Sequence, residues 1–534
     1  MEKLTWTGSF GSIFDVFLFV IAALFAFAVV MTMARSLIKT PMEAASLGAG
    51  GALVAAPTSR RLAPAVIFVT LVGIVASMPF TGVGFGALLT ALVISLVVGL
   101  VVVMALDAVP GPLASTFLMW MLCLLIGLIL LYILAGVLLP RDTAGIIGNI
   151  AKQFTPVWIA LIVTFVVSIM FKRKLGLYGK LFDSTVGMIG FALVMFWVFT
   201  GVFGAMEWII TSDPLGQVSG MKNKVPGTPV RGAEDGMYPY YLLGGDTLAR
   251  DVFSRVVAGS WIVVQIAPLA TLFAFMVGIT LGLPAGYYGG KLDTFLSFLA
   301  NLILAFPVIL LFYLLVTPEI VATGIPNYMA TVLFIFPLIF VCILLNSRFY
   351  TQPHIRTPLL IVVLGLMGWV YLSLISADGT KVDLLPTLLD LFDVPGGILV
   401  VFVSVVFVNA PTVFRIVRGL ALDIKTRDYV AAAQTRGEGP WYIMLWEILP
   451  NARGPLIVDF CLRIGYTTIL LGTLGFFGLG LPPESPDWGS TINDGRKLLS
   501  IYLHPALPPA LSLLSLVLGL NLLADGLREE SLKD

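Results

Sequence analysis

Residues that could carry acid–base, nucleophilic or metal chemistry are scarce in this chain of 534 residues. Three cysteines, Cys123, Cys342 and Cys461, lie in apolar runs without metal-ligand or disulfide spacing and are best read as small buried hydrophobic residues. The two histidines are His354 and His504, too few for a histidine-based metal site. We therefore expect neither a metal site nor a catalytic centre.

One glycine-rich run superficially suggests a phosphate-binding loop. Ala285–Lys291 reads AGYYGGK, but a P-loop needs four residues between its glycines and a Ser or Thr after its lysine. Here three residues intervene and Leu292 follows the lysine. Neither a kinase motif set nor a G-x-S-x-G sequence is present, so we expect no nucleotide site in the chain.

The composition is that of a polytopic membrane protein. Hydrophobic residues make up 59% of the chain and charged residues 11%, with a mean hydropathy of +1.02, whereas soluble domains carry roughly 25% charged residues. The net charge of +1 gives no sign of a nucleic-acid partner. The expected fold is all-α and embedded in membrane lipid.

Membrane-spanning helices need about 20 apolar residues, and about thirteen runs meet this criterion. The first, Ile13–Met33, is long enough to span and is interpreted as a retained helix rather than a cleaved signal peptide. The other expected spans are Ala63–Met78, Phe85–Leu106, Leu113–Leu138, Pro156–Phe171, Val186–Ile210, Ile262–Leu283, Leu296–Val316, Met329–Leu345, Pro358–Ile375, Gly397–Arg418, Leu456–Gly478 and Leu507–Leu523.

The distribution of Lys and Arg predicts the orientation. Five basic clusters, among them Lys172–Lys180 and Arg415–Arg436, fall on the cytoplasmic side if the N-terminus is outside and the C-terminus is cytoplasmic. The segment 211–261 would then be external although it carries several basic residues. In the penultimate span, Asp459 and Arg463 are four residues apart and are predicted to pair along one helix face.

A polar island between two apolar spans is the most informative stretch. Asp428–Thr435 is predicted to be a short helix, with Gly437 and Gly439 as breakers. Pro440 would open a second helix, Trp441–Ile448, which Pro450 would end. This pattern indicates a docking element lying flat on the membrane. An ordinary cytoplasmic loop is the alternative.

The island also resembles a known motif. Tyr429-Val430-Ala431-Ala432-Ala433, then Gly437, then Ile448-Leu449-Pro450-Asn451 resembles the EAA loop of ABC-importer permeases of the dipeptide, oligopeptide and nickel branch. In that family the loop docks into a groove of the cytoplasmic ATPase. The resemblance therefore implies that residues 423–451 form a coupling loop, with Asp428, Tyr429, Ala431, Ala432, Ala433, Gly437, Glu438 and Pro450 as its coupling residues. Ala431 replaces the usual glutamate, whose ion pair would be absent or supplied by Asp428 or Glu438.

Two further runs resemble the same branch. Leu243–Arg255 resembles LGTDxxGRDxxSR and Phe476–Gly489 resembles FLGLG…PPxPxWG, both on the predicted external side. The first suggests a glycine turn entering a short charged helix that braces the outer mouth; a structural cap on the next span is the alternative. The residues expected to shape this mouth and its gate are Asp246, Arg250, Asp251, Arg255, Pro483, Pro486 and Trp488.

The resemblance implies a type I ABC-importer permease with a six-helix core. Its first half would be residues 172–317 and its second half 397–534, with a five-helix extension over 1–171 and a two-helix insertion over 318–396. The implied partners are a homologous second permease, two P-loop ATPases that hold the ATP and Mg, and an external solute-binding protein. The implied location is a bacterial or archaeal plasma membrane.

The substrate and the energy source have alternatives. Peptides are the default for this branch, while nickel, glutathione, cell-wall peptides and sugars are carried by relatives. An ion-coupled secondary transporter would need mid-membrane carboxylates or broken helices in repeated halves, and a membrane enzyme would need clustered ionisable residues within spans. The function expected is ATP-driven import, with no enzymatic reaction on this chain.

Overall fold

The computed structural model describes residues 3–6, 8, 134, 136–174, 176–230, 238–376, 396–479 and 484–531. Within these ranges the regular secondary structure is helical apart from one two-stranded antiparallel sheet and an isolated bridge between Gly245 and Asp251, and residues 206–251 are mostly turns and irregular chain. The contacts divide it into two compact units. The described residues up to Thr155, with Pro226–Val230 and Pro239–Leu242, form the smaller unit, and the remaining described residues form the larger one.

Among its described residues, the smaller unit has one complete helix and the two-stranded antiparallel sheet. Helix α1 is Arg141–Gln153. Strand β1, Thr228–Pro229, pairs antiparallel with β2, Tyr240–Tyr241, in the register Thr228 opposite Tyr241. The Tyr240 hydroxyl donates to Asp142 Oδ1 at 3.1 Å, which ties the sheet to the first turn of α1.

The larger unit is built from helices, most of which follow one another with short connections; residues 206–251 form the long connection between α4 and α5. The helices before the coupling loop are α2 Thr155–Phe171, α3 Leu177–Lys180, α4 Thr185–Ala205, α5 Val252–Tyr288, α6 Gly290–Leu304, α7 Val308–Val316, α8 Pro318–Thr323, α9 Ile325–Leu333, α10 Ile335–Arg348, α11 Pro353–Ile375 and α12 Gly396–Ile424. The later elements are α13 Asp428–Thr435, α14 Pro440–Tyr442, a π-helical turn Ile443–Ile448, α15 Leu449–Asn451, α16 Arg453–Phe477, α17 Trp488–Arg496 and α18 Leu507–Ser531.

Eight helical stretches in the described ranges are long and apolar enough to cross a membrane. They coincide with eight of the predicted spans, from Pro156–Phe171 to Leu507–Leu523, and so confirm a polytopic all-α membrane protein. The four predicted spans nearest the N-terminus lie outside the described residues, except for a few residues at the end of Leu113–Leu138. The total of thirteen stays a prediction.

The predicted span Leu296–Val316 is wrong as a straight helix. The structure breaks it into α6 and α7, which meet at an angle of 80°. Pro307 stands at the break with an extended backbone (φ −57°, ψ 121°). Proline cannot continue the hydrogen-bond ladder and also disfavours helical geometry at the residue before it. The AFP sequence at Ala305–Pro307 therefore ends α6, and a new helix begins in another direction.

Helices α5 and α12 pack closely because glycines recur on one face of α5. Gly278, Gly282 and Gly286 are spaced four apart, and a Cβ added to any of them would lie within 3.0 Å of α12 atoms. Small residues at this spacing let two helix backbones approach within a membrane. The α5–α12 pair forms the support on which the coupling loop is built.

Candidate functional site

The segment predicted to be a coupling loop, residues 423–451, begins at the end of α12 and keeps that name below. Its first helix, α13, runs from Asp428 to Thr435, as the sequence predicts. Gly437 adopts φ +80°, a conformation that disfavours residues with a Cβ, and so turns the chain after the helix. Pro440 is the first residue of α14, where its missing N–H costs no helical hydrogen bond.

Helix α13 is anchored by two apolar side chains. Val430 and Ala433 are both 0% exposed, three residues apart on one face, and pack with Val417 of α12 and Met444 of the following turn. The opposite face is open, with Tyr429 39% exposed. Asp428, Ala431, Ala432 and Gly437 are exposed beside it. Of the predicted coupling residues, Ala433 therefore serves as an anchor, whereas the others in α13 face outward.

The second segment differs from the predicted helix Trp441–Ile448. Only Pro440–Tyr442 is α-helical, and Ile443–Ile448 forms a wider π turn in which the Leu449 N–H donates to Met444 O. The prediction that Pro450 ends the helix is wrong. Pro450 lies near the start of the short helix α15, and the Ala452 N–H donates to Ile448 O at 3.1 Å beyond it. Early in a helix, proline removes no needed donor.

Charged residues of the loop pair mainly within the loop. Arg436 Nη2 lies 2.9 Å from Glu447 Oε1, and Arg436 Nε lies 3.9 Å from Glu438 Oε1. The carboxylate of Glu438 is therefore already engaged by Arg436, whereas exposed Asp428 has no ion pair among the described residues. Asp428 is the better placed of the two acids that the sequence offers in place of the missing glutamate.

One lysine connects the loop to the end of α5. Lys425 Nζ donates to Gly286 O at 2.8 Å and to Tyr287 O at 3.3 Å. The last carbonyl groups of a helix lack intrahelical partners and carry partial negative charge. An ammonium group there both satisfies these carbonyls and complements the helix dipole. The start of the coupling loop is thereby fixed to α5 as well as to α12.

The predicted mouth residues of the external segment form a buried polar cluster. Arg250 Nε lies 2.6 Å from Asp246 Oδ2, and its Nη2 lies 2.7 Å from Asp494 Oδ2. Asp246 also accepts the Leu248 and Arg250 N–H groups through Oδ1. Both members of the Asp246–Arg250 pair are buried. A buried ion pair of this kind holds a turn in one geometry and is costly to break.

Asp251 caps helix α5. Its side chain accepts the N–H groups of Phe253 and Ser254, the bonding expected of an N-cap carboxylate. The Thr211 hydroxyl also donates to Oδ2 at 2.6 Å. Burial nevertheless raises the pKa of Asp251 above its ordinary value, because desolvation outweighs these hydrogen bonds. The cap on the next span, which the sequence left as an alternative, is thus present in the structure.

Arg255 and Trp488 bring together the two motifs that the sequence places on the external side. Arg255, 0% exposed, donates through Nη2 to Ser485 O at 3.0 Å and through Nε to Thr491 Oγ1 at 3.2 Å. Trp488 Nε1 donates to Val256 O at 2.8 Å. Pro486 is half-buried beside them, and Pro483 lies outside the described residues. These side chains form an internal clamp on the first turns of α5, and a gating role for them stays a prediction.

Asp487 is the N-cap residue of helix α17, and its carboxyl group is buried. Its Oδ1 accepts the Ser490 N–H at 2.9 Å, while Oδ2 has no hydrogen-bond partner among the described residues. Burial raises the pKa of Asp487, with Ser490 and the charge of Arg255 opposing the shift. This is the least satisfied carboxyl group of the clamp.

Of three polar contacts that the helices make, one lies within a helix and two join different elements. Asp459 Oδ2 and Arg463 Nε are 2.8 Å apart, which confirms the predicted intrahelical pair. Asn409 Nδ2 donates to Thr467 Oγ1 at 3.3 Å, joining α12 to α16. Trp446 Nε1 donates to Ser347 Oγ at 3.1 Å, joining the π turn to α10. Sequence reasoning missed the last two because each joins residues distant in the chain.

The described residues contain no cluster of His, Cys, Asp or Glu able to hold a metal ion.

Comparisons with known proteins match the part of the chain that carries the coupling loop. Residues 278–529 match the family described as "Binding-protein-dependent transport system inner membrane component". A glutathione transport system permease protein (GsiD) of Pectobacterium atrosepticum is 29% identical over 287 residues, covering 54% of this chain and 70% of the relative. A dipeptide transport system permease protein (DppC) of Haemophilus influenzae is 28% identical over 295 residues, covering 55% of this chain and 75% of the relative. Another DppC, from Alkalihalophilus pseudofirmus, is 26% identical over 286 residues, with 54% and 69% covered.

Proposed function

We propose that this chain, an ABC-importer permease of the dipeptide and oligopeptide type, moves peptides delivered by an external solute-binding protein. ATP and Mg are held by two P-loop ATPases bound to the cytoplasmic side. A homologous second permease completes the pathway. The chain spans the plasma membrane many times, with its N-terminus outside and its C-terminus in the cytoplasm.

The observation that carries this proposal is the two-faced coupling loop. Val430 and Ala433 fix α13 to the membrane helices, and Asp428, Tyr429 and Ala432 leave an open face on its other side. An ATPase that binds this face can pull on the loop without unfolding it. The loop thus has both features that a coupling element needs, a rigid attachment and an accessible surface.

The path from the loop to the spans is short. Lys425 donates hydrogen bonds to the last carbonyl groups of α5. The glycines on one face of α5 in turn pack directly against α12. A displacement of α13 is therefore transmitted to both helices together. ATP binding would draw the coupling loops of the two permeases together and shift the spans from inward-open to outward-open. Such a shift requires that nucleotide bind one arrangement more tightly than the other.

Peptides are the proposed substrate class, and glutathione is the second candidate. The relatives named above include permeases named for dipeptides and for glutathione, which is itself a tripeptide. Both are short, zwitterionic and flexible, so one pathway suits either. We assign the choice between them chiefly to the solute-binding protein, a separate chain.

The external clamp supports an outward-facing role for the segment 211–261. Buried pairs such as Asp246–Arg250 hold this segment rigidly against α17. A rigid external surface suits a protein that receives solute from a docked partner. Under this proposal Asp246, Arg250, Asp251, Arg255 and Trp488 shape the outer mouth by fixing its wall rather than by touching solute.

A direct experiment is purification of the tagged chain from its native membrane in mild detergent, followed by mass spectrometry and reconstitution. We expect a second permease and P-loop ATPases to co-purify, and the proteoliposomes to take up radiolabelled dialanine only with ATP and the binding protein. Glutathione as competitor separates the two substrate candidates. Recovery of the chain alone, with uptake driven by an ion gradient and not by ATP, would refute the proposed function.

A further inference from the structure

The inserted region 318–396 contacts the coupling loop at its π turn. Trp446 Nε1 donates to Ser347 Oγ at 3.1 Å, and the Arg348 guanidinium carbon lies 4.8 Å from the centre of the Trp446 ring. We propose that Ser347, Arg348 and Trp446 form a latch through which the inserted helices position the coupling loop. This inference rests on the proposed function, since it concerns how ATP hydrolysis is coupled to transport.

The latch is built from two different contacts. Ser347 is buried, and its own hydroxyl donates to Leu344 O at 2.9 Å, so its lone pairs face Trp446 from a fixed position. Arg348 lies over the ring of the same tryptophan, where the guanidinium group is attracted to the π face. One side chain of the loop is thus held by a hydrogen bond at its edge and by a cation at its face.

The π turn directs Trp446 toward α10. In an α-helix the Leu449 N–H would bond to Leu445 O, but here it bonds to Met444 O, one residue further back. The wider turn keeps Met444, Leu445 and Ile448 buried while Trp446 is half-buried at the side. Single π turns recur at functional positions in helices. This π turn lets the segment bury its apolar side chains and also place Trp446 in the latch.

The far end of α10 is fixed in the membrane core. Phe334, at the start of α10, is buried and packs edge-to-face on Phe273 of α5 and Phe402 of α12, with ring centres 5.2 Å and 5.5 Å apart. The Tyr371 hydroxyl of α11 donates to Thr331 O of α9 at 2.8 Å. The inserted helices are therefore bonded to one another and anchored on the same two spans that carry the coupling loop.

The middle of α10 packs on the loop as well. Phe340, Ile343 and Leu344 lie against the apolar cluster that contains Met444 and Leu445. Helix α10 thus runs as a strut from the α5–α12 pair to the coupling loop, with contacts at both ends and between them. A lipid-facing belt needs only the first of these contacts.

The consequence concerns energy coupling. When the ATPases displace the coupling loop, the latch makes the π turn move with α10 instead of sliding past it. Trp446 is a positioning residue, because it acts through α10 and has no role in binding solute. Without the latch, part of the ATPase motion would be lost in local movement of the loop, and ATP would be hydrolysed with less solute transported.

The test compares latch variants of the co-purified complex in proteoliposomes. Uptake of radiolabelled dialanine and ATP hydrolysis are measured together for wild type, Ser347→Ala, Arg348→Ala, Trp446→Phe and Trp446→Ala. Arg356→Ala is the matched control, since Arg356 lies over the exposed Tyr350 ring at 5.8 Å and its N–H donates to Gln352 O, outside the coupling loop. A double-mutant cycle of Arg348→Ala and Trp446→Ala on thermal unfolding in detergent measures the contact without any transport.

We expect uptake per ATP to fall about threefold in Arg348→Ala and Trp446→Ala. Trp446→Phe, which keeps the ring and loses the N–H, should fall between these and wild type, and Arg356→Ala should match wild type. The unfolding cycle should be non-additive. Additive unfolding, or unchanged uptake per ATP in every latch variant, would overturn the latch. If the unfolding cycle is non-additive but the wild-type complex shows no ATP-driven uptake, the latch contact exists and the proposed function is refuted. The coupling role of the latch is then refuted with it.

Discussion

Lys425 Nζ lies 2.8 Å from the carbonyl oxygen of Gly286, so the first turn after α12 is bonded to the last turn of α5. Two spans separated by the whole inserted region are thereby joined at the point where the coupling loop begins. This bond makes the loop a shared extension of α5 and α12. Under the proposed function, a displacement applied to α13 is therefore passed to both spans.

Replacing Lys425 by methionine should uncouple the loop from α5. Methionine keeps most of the apolar stem but donates no hydrogen bond to Gly286 or Tyr287. Because these are bonds from a charged donor, each worth about 1.5–3 kcal/mol, we expect uptake per ATP to fall severalfold while hydrolysis continues. Lys291→Met is the matched control, since Lys291 is exposed just beyond α5. Equal losses in the two variants would contradict the role assigned to Lys425.

The neighbouring alanines of α13 should respond in opposite ways to the same substitution. Ala433 is buried and Ala432 is exposed, so Ala433→Leu overfills the apolar cluster, at a cost of about 1–3 kcal/mol. It should lower the thermal unfolding midpoint of the purified chain. Ala432→Leu should leave this midpoint unchanged but weaken binding of the ATPases, measured by their co-purification. If both variants lowered the midpoint equally, the assigned orientation of α13 would be wrong.

The missing glutamate of the loop can be restored. Ala431 is exposed beside Asp428, so Ala431→Glu places a carboxylate on the open face without disturbing the anchor residues. We expect Asp428→Asn to reduce ATPase co-purification severalfold and Ala431→Glu to restore it in the double variant. If Asp428→Asn has no effect, Asp428 does not replace the family's glutamate.

The buried carboxyl of Asp487 predicts a pH dependence of stability. Because burial raises its pKa above the ordinary value of 3.8, the folded protein holds this proton more tightly than the unfolded chain does. The stability contributed by the protonated form is therefore lost as the pH rises from 3.8 through the folded pKa. Asp487→Asn removes the charge and keeps an N-cap acceptor.

Thermal unfolding in detergent, followed from pH 4 upward, measures this difference. We expect Asp487→Asn to unfold at a higher temperature than wild type near neutral pH, and the two midpoints to converge as the pH falls. Asp213→Asn is a suitable control, because Asp213 is an exposed aspartate in the segment 211–261. A wild-type midpoint that rises relative to Asp487→Asn with increasing pH would contradict the raised pKa.

Sequence patterns predicted the spans because their signal is local. A run such as Pro358–Ile375 is apolar along its whole length, and length and hydropathy alone identify it. The bounds of α13 were equally local, since Gly437 and Pro440 mark its end and the next start. The resemblance to permeases rested on ordered short motifs. The loop motif at Tyr429–Asn451 and the run Phe476–Gly489 lie inside the region 278–529 that the family comparison matches, whereas Leu243–Arg255 lies before it.

Tertiary contacts explain what the sequence left unpredicted. Ala432 and Ala433 are identical in type, and only packing against α12 decides which of them is buried. Arg255 is buried through Ser485 and Thr491, more than two hundred residues away in the chain, so its charge alone suggested an exposed mouth. Trp446 of the π turn likewise contacts Ser347 and Arg348 of α10, about a hundred residues away in the chain. The bend at Pro307 did have a local signal, a proline inside an apolar run, which the span prediction did not use.

The central claim, that the open face of α13 receives an ATPase, is tested most directly by photo-crosslinking at Tyr429. A photoreactive phenylalanine analogue at this 39% exposed position should yield, in the native membrane, an adduct with a P-loop ATPase. The same analogue at exposed Tyr350 serves as the control and should yield none. Crosslinks from position 429 to lipid or to this chain alone, with no ATPase adduct, would contradict the account.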